Sequence, residues 1–211
     1  MRLVAISDTH GFHRQLPMLP DGDVLIHAGD ITLRGLLDDF PDFFAWFASQ
    51  PHRWKIVIAG NHDFAFERTP EDAKRLVPKG VTYLRDSGIR IRRIGFWGSP
   101  WQPWFNHWAF NLLRGEEIAA KWALIPLDTQ VLITHGPPHG TLDELSWPPK
   151  ERVGCEALRD RLQQLLRLRV HIFGHIHEAY GVVQEGERQF VNASTCTRRY
   201  APINAPVVID L

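Results

Sequence analysis

Two cysteines in 211 residues, Cys155 and Cys196, are too few for a disulfide framework, and a chain of this length can bury a core without one. Both are expected as reduced, partly buried thiols, which fits a cytoplasmic setting. An excess of charge is also missing, since 24 Lys and Arg face 24 Asp and Glu. Proteins that live on nucleic-acid backbones usually carry a basic excess, so long DNA or RNA is not an expected partner. A small phosphate ester stays compatible with neutrality, because a bound metal pair brings its own positive charge. No apolar run is long enough to span a bilayer, so no membrane partner is expected. No signal peptide is visible: the chain opens MRLVAISD, which reads as a strand. There is no internal repeat, low-complexity tract or clear linker.

The composition that remains, 44% hydrophobic and 23% charged, is that of a globular protein. One α/β domain over residues 1–211 is expected, with two sheets. Residues 2–7, 23–28 and 54–59 are short aliphatic runs that stop at Gly or Asp, the pattern of buried strands. Residues 33–50 have helical spacing, with Pro41 early in the helix or at a break. Further helices are predicted over 71–79, 115–124 and 155–168, the last with Leu158, Leu162, Leu165 and Leu166 on one face. Strands are predicted at 81–84, 88–98, 130–136, 170–175 and 205–211, and 181–194 reads as a hairpin turning at Glu185-Gly186.

Polar clusters follow five of these strands: Asp8-Thr9-His10, Gly29-Asp30, Gly60-Asn61-His62-Asp63, His135-Gly136 and Gly174-His175-Ile176-His177. Loops at the carboxyl ends of strands in open α/β sheets meet in one crevice, so the five clusters should converge. Each alone reads as a turn or as ordinary strand histidines; their ordered recurrence after strands is what indicates a metal site. The donors are carboxylate, imidazole and carboxamide, with no thiolate, which suits Mn²⁺, Fe or Zn²⁺. Asp8 and His10, like His175 and His177, are two residues apart and can face one ion from extended backbone. Asp30 is the natural carboxylate to bridge two cations.

The ordered set Asp8-x-His10, Gly29-Asp30, Gly60-Asn61-His62-Asp63, His135 and Gly174-His175-x-His177 resembles the calcineurin-like metallophosphoesterase superfamily. The stretches KIVIAGNHD, GSPWQPWF, THGPP, RVGC, FGHIHEAYG and NASTCT resemble metallophosphoesterase-domain-containing proteins, relatives of class III cyclic nucleotide phosphodiesterases. Some animal members of that group carry Gly where this chain has His175. The resemblance implies a four-layer sandwich, two mixed sheets between helices. It implies two divalent ions, Mn²⁺ first and Fe, Zn, Co or Ni as further candidates. Asp8, His10, Asp30 and His177 would hold one ion, and Asp30, Asn61, His135 and His175 the other. It also implies that His62 is a catalytic residue beside the scissile phosphate, with Asp63 orienting it. A hydroxide bridging the metals would attack phosphorus.

The reaction so implied is hydrolysis of a small diester such as a cyclic nucleotide. A phosphomonoesterase or protein phosphatase using the same centre is the alternative, and a non-catalytic scaffold a third reading. The aromatic stretch 97–108 offers Trp101, Trp104 and Asn106 as a wall for substrate, and His139, with His13, lies on a loop near the ligands. His27 reads as a core histidine, and Arg90–Arg93 as a solvated strand face.

Overall fold

The structure is a computed structural model that describes residues 1–211. Its first sheet is built by β1 (Arg2–Ile6), β2 (Val24–Ala28), β3 (Trp54–Ile58) and β4 (Val81–Tyr83), all parallel, with β13 (Val207–Asp210) antiparallel on the β1 edge. The second contains β5 (Ser87–Ile91), β6 (Ile94–Ser99), β9 (Val131–Thr134), β10 (Val170–Phe173), β11 (Gly181–Glu185) and β12 (Arg188–Asn192). Its order is β11-β12-β10-β9-β6-β5, parallel at the centre and antiparallel at both edges. The short strands β7 (Gln102–Pro103) and β8 (Asn111–Leu112) pair across the end of the aromatic stretch.

Alternation along β1 shows how the layers form. Leu3 and Ala5 point into a cluster with Val131, Ile133, Val170 and Ile172 of the opposite sheet, while Val4 and Ile6 point to the helical side. There Phe40, Phe43, Phe44 and Phe47 of α1 (Phe40–Ser49) cover them. Leu158 and Leu162 of α5 (Glu156–Gln164), and Trp122 of α4 (Glu116–Ala123), fill the same outer cluster beside Leu132 and Phe173. The result is the two mixed sheets between helices that the sequence predicts.

Local differences have physical causes. The first helix begins at Phe40 rather than residue 33, with Pro41 in its first turn, where proline's missing N–H costs no hydrogen bond. The stretch 88–98 is a hairpin and not one strand: Arg92, at φ 53°, turns the chain between β5 and β6. Residues Phe64–Arg68 form a short helix, α2, that sequence periodicity does not announce, and α3 is Pro70–Arg75 instead of 71–79. The fifth helix stops at Gln164, so Leu166 is 82% exposed although the periodicity places it on the apolar face. Both cysteines are free and buried, and Cys155 Sγ accepts the Trp122 indole N–H at 3.2 Å.

Candidate metal centre

The chain leaves β1, β2, β3, β9 and β10 at the same edge of the two-sheet stack, and there the sequence-predicted residues gather. Asp8, His10, Asp30 and His175 hold φ of 53°, 45°, 55° and 70°, the left-handed region that costs a non-glycine residue energy. Two glycines matter for space and not for turning. A Cβ at Gly174 would collide with the Asp8 carboxylate and Ser7, and one at Gly60 with Asp30 and His135.

Three carboxylate–imidazole groups have their donor atoms within 4.8 Å of one another: Asp8–His10–His177, His10–Asp30–His62 and Asp8–Asp30–His135. Asp30 joins them. Its Oδ2 faces His10 Nε2 at 3.7 Å, while its Oδ1 faces His135 Nε2 at 3.4 Å and accepts the His62 backbone N–H at 2.8 Å. Asp8 accepts from the His175 backbone N–H at 3.0 Å and the Ser194 hydroxyl at 2.8 Å, and lies 3.5 Å from His177 Nε2. Asn61 Oδ1 is 2.8 Å from His135 Nε2.

The outward nitrogen of each ring decides what the inward one offers. Nδ1 of His10, His135 and His177 lies 3.3, 3.0 and 3.1 Å from the backbone carbonyls of Thr32, Ala28 and Thr197. Carbonyls only accept, so Nδ1 carries the proton and Nε2 turns a lone pair inward. Acceptors then meet acceptors: His10 Nε2 is 3.2 Å from His177 Nε2, and His135 Nε2 faces the Asn61 carboxamide oxygen. Such pairs are unfavourable unless a cation or proton lies between them. Divalent cations therefore fit this donor set.

The charges agree. Burial pushes the Asp30 carboxyl upward, but His135 and His62 hold it well below the usual carboxylate range. Burial likewise raises Asp8, and the hydrogen bond and charge of His177 reverse this. Burial depresses His135, but Asp30 pulls it up to about 9. Burial pushes His10 down to about 4 and His175 down to about 3, so both are neutral and available as ligands.

His175 packs 5.0 Å from the His135 ring and lines the cleft, but its nitrogens belong to none of the three tight groups. His62 does not receive its orientation from Asp63, contrary to the sequence reading. Its Nδ1 donates to the Leu33 carbonyl at 2.9 Å, and its ring lies against Trp108 at 4.1 Å. Asp63 instead accepts the backbone N–H of Ile31, Thr32 and Gly60, tying the loop after β2 to the turn after β3. Burial and the Asp30 charge push its carboxyl up to about 7.

A cleft of about 630 Å³ opens from the centre. Trp104, 50% exposed, and Asn106 line it, as the sequence suggests. Trp101 does not: it is buried, donating to Asp86 at 2.8 Å under Lys121. His139 also lies outside the lining, and His13 turns away to Asp42 at 3.0 Å. His27 is a satisfied core histidine, 2.9 Å from the Thr9 hydroxyl.

Sequence reasoning misses Trp147, Arg198 and Tyr200, and reaches Trp108 only as the last residue of the stretch 97–108. The Tyr200 ring stands edge-on to His10 at 4.9 Å, and Arg198 lies over Trp147 at 3.8 Å. The one available signal was the segment NASTCTRRY, whose last residues fall just past the motif.

The family model described as calcineurin-like phosphoesterase matches residues 1–179. The chain belongs to the calcineurin-like phosphoesterase family. It is 44% identical to human metallophosphoesterase domain-containing protein 1 over 234 residues, covering 100% of this chain and 71% of that protein. A UPF0046 protein of Caenorhabditis elegans is 36% identical, with 100% of this chain and 81% of that protein covered. The solved structure of TT1561 from Thermus thermophilus shares the fold, with a TM-score of 0.61 over 90% of this chain and 88% of that one, at 13% identity. As a member of the calcineurin-like phosphoesterases, the chain is a metal-dependent phosphoester hydrolase. No helix is long and apolar enough to cross a membrane.

Proposed function

We propose that this chain is a phosphodiesterase acting on small diesters such as cyclic nucleotides at a dinuclear centre. The observation that carries the two-ion reading is Asp30, whose two oxygens divide between the His10 side and the His135 side. Asp8, His10, Asp30 and His177 would hold one ion, and Asp30, Asn61, His135 and His175 the other. Donors of this mixed kind suit Mn²⁺, with Fe, Zn, Co or Ni also compatible. Bound there, the ions would supply a nucleophile at neutral pH and neutralise charge on the phosphoryl oxygens.

The protein's own groups do the rest. His62, held by Leu33 and Trp108, turns its Nε2 toward the cleft, 4.0 Å from Asp30 Oδ2. That nitrogen is placed to act on a phosphoryl or leaving-group oxygen. One of the cleft's two guanidiniums, Arg114, is committed within the protein, which supports a singly charged diester over a doubly charged monoester. Arg114 is bonded to Glu156 and to the Gly154 and Val153 carbonyls, and Arg198 lies on Trp147. Exposed indoles at Trp104 and Trp147 suit a flat leaving group such as a nucleoside. Two free, buried thiols support a cytoplasmic setting.

The test is a screen of Mn²⁺-reconstituted protein on bis-p-nitrophenyl phosphate, p-nitrophenyl phosphate, and 2′,3′- and 3′,5′-cyclic nucleotides. Higher kcat/KM on the diesters is expected. A preference for the monoester would overturn the diesterase reading, and inertness on all of them would revive the scaffold.

A further inference from the structure

Most arginines of this chain are engaged by a carboxylate, a carbonyl or an aromatic ring. Five guanidinium groups make no hydrogen bond, ion pair or ring contact: Arg34, Arg93, Arg167, Arg169 and Arg199. Three of the five, Arg93, Arg167 and Arg169, line one concavity of about 630 Å³. A fourth, Arg90, lines it too but is paired with Asp128 at 2.6 Å. The remaining charge in the lining is Glu187, so four guanidiniums face two carboxylates in a chain of zero net charge.

The concavity lies at the ends of the sheet opposite the metal centre. Gln130 and Arg169 sit in its wall, immediately before β9 and β10, and those strands lead to His135 and His175. Roughly 15 Å of extended chain separates the two places. The arginines arrive from unrelated segments: Arg93 from the β5–β6 turn, and Arg167 and Arg169 from the loop after α5. All three are exposed, and the hollow they share offers them Glu187 as its one carboxylate outside the Arg90–Asp128 pair. Guanidinium forks match the oxygens of phosphate groups and bind them with paired hydrogen bonds.

We propose that this concavity is an anion site for a compact ligand carrying several phosphate groups, held by Arg93, Arg167 and Arg169. The same chemistry could come from a soluble polyphosphorylated molecule or from a phosphoinositide headgroup. The test uses metal-loaded full chain at about 0.15 M salt, where exposed charges are largely screened. The soluble probe is inositol hexasulfate, followed by calorimetry and by the arginine Nε–H resonances. Vesicles of phosphatidylcholine, with and without phosphatidylinositol 4,5-bisphosphate, form the second arm.

The soluble probe is expected to bind and to shift Arg93, Arg167 and Arg169. The triple variant Arg93→Ala/Arg167→Ala/Arg169→Ala should weaken it by about tenfold or more, while Arg34→Ala/Arg199→Ala changes nothing. Diester hydrolysis should be unaltered in the triple variant. Vesicle binding that needs both the bisphosphate lipid and these arginines would support the site and name the headgroup as its source. Undiminished binding in the triple variant, shifts confined to the metal cleft, or no binding in either arm would overturn the proposal.

Discussion

His10 Nε2 and His177 Nε2 face each other across 3.2 Å, each ring held from behind by a backbone carbonyl. With lone pairs on both nitrogens the contact is repulsive until a cation or a proton lies between them. Chelator treatment should therefore lower the melting temperature, and adding Mn²⁺ should restore it. Saturation at about 100 times the dissociation constant would contribute about 2.7 kcal/mol per site. A melting temperature indifferent to metal would contradict this geometry.

Asp30 belongs to two of the three donor groups, whereas His177 belongs to one. Mass spectrometry of Asp30→Ala should find both ions depleted, with affinity lower by about tenfold or more. His177→Ala should retain one ion per chain. Equal loss in the two variants would mean that Asp30 does not bridge.

His62 contributes a ring nitrogen to the cleft and its backbone N–H to Asp30, and only the ring is lost in His62→Ala. The variant should keep wild-type metal content while kcat on bis-p-nitrophenyl phosphate falls by about 10²–10⁴. Normal turnover would remove His62 from the mechanism.

Gly174→Ala drives a methyl group into the Asp8 carboxylate. A destabilisation of about 1–3 kcal/mol, together with loss of metal, is expected from urea unfolding and metal analysis. Gly140→Ala is the contrast. Its φ is positive, 93°, but the space around it is open, so it should cost about 1 kcal/mol and leave metal content intact.

His171 is fully buried, and burial pushes its imidazole down to about 3. The folded protein thus resists a proton that the unfolded chain takes up near pH 6.5, about the ordinary histidine value. The stability is present in full above that pH and is lost as pH falls from there toward 3. The expected slope is at most about 1.4 kcal/mol per pH unit. Urea unfolding at neutral and mildly acidic pH should show His171→Gln losing less stability on acidification than wild type. Parallel losses would assign the acid sensitivity elsewhere.

The strands and the candidate metal donors were legible because buried parallel strands are short aliphatic runs, and each run here stops just before a donor cluster. What one residue does to another across the fold was not. Asp63 adjoins His62 in the chain, yet its carboxylate is spent on Ile31, Thr32 and Gly60, and Leu33 holds the ring. Trp101 and Trp104 look alike in sequence and differ because only Trp101 finds Asp86 to satisfy its indole N–H inside the protein. The Arg92 turn was hidden because arginine seldom adopts positive φ, and nothing nearby signals it.

The contact between His10 and His177 spans 167 positions of the chain. Closing a loop of that length is entropically costly and slow compared with forming a helix or hairpin. On the ribosome, the amino-terminal ligands emerge long before their partners exist. They stay without a finished pocket until β10 and the loop beyond it have been made. Full occupancy of both proposed sites would thus belong to the last stage of maturation, once His175 and His177 have been made.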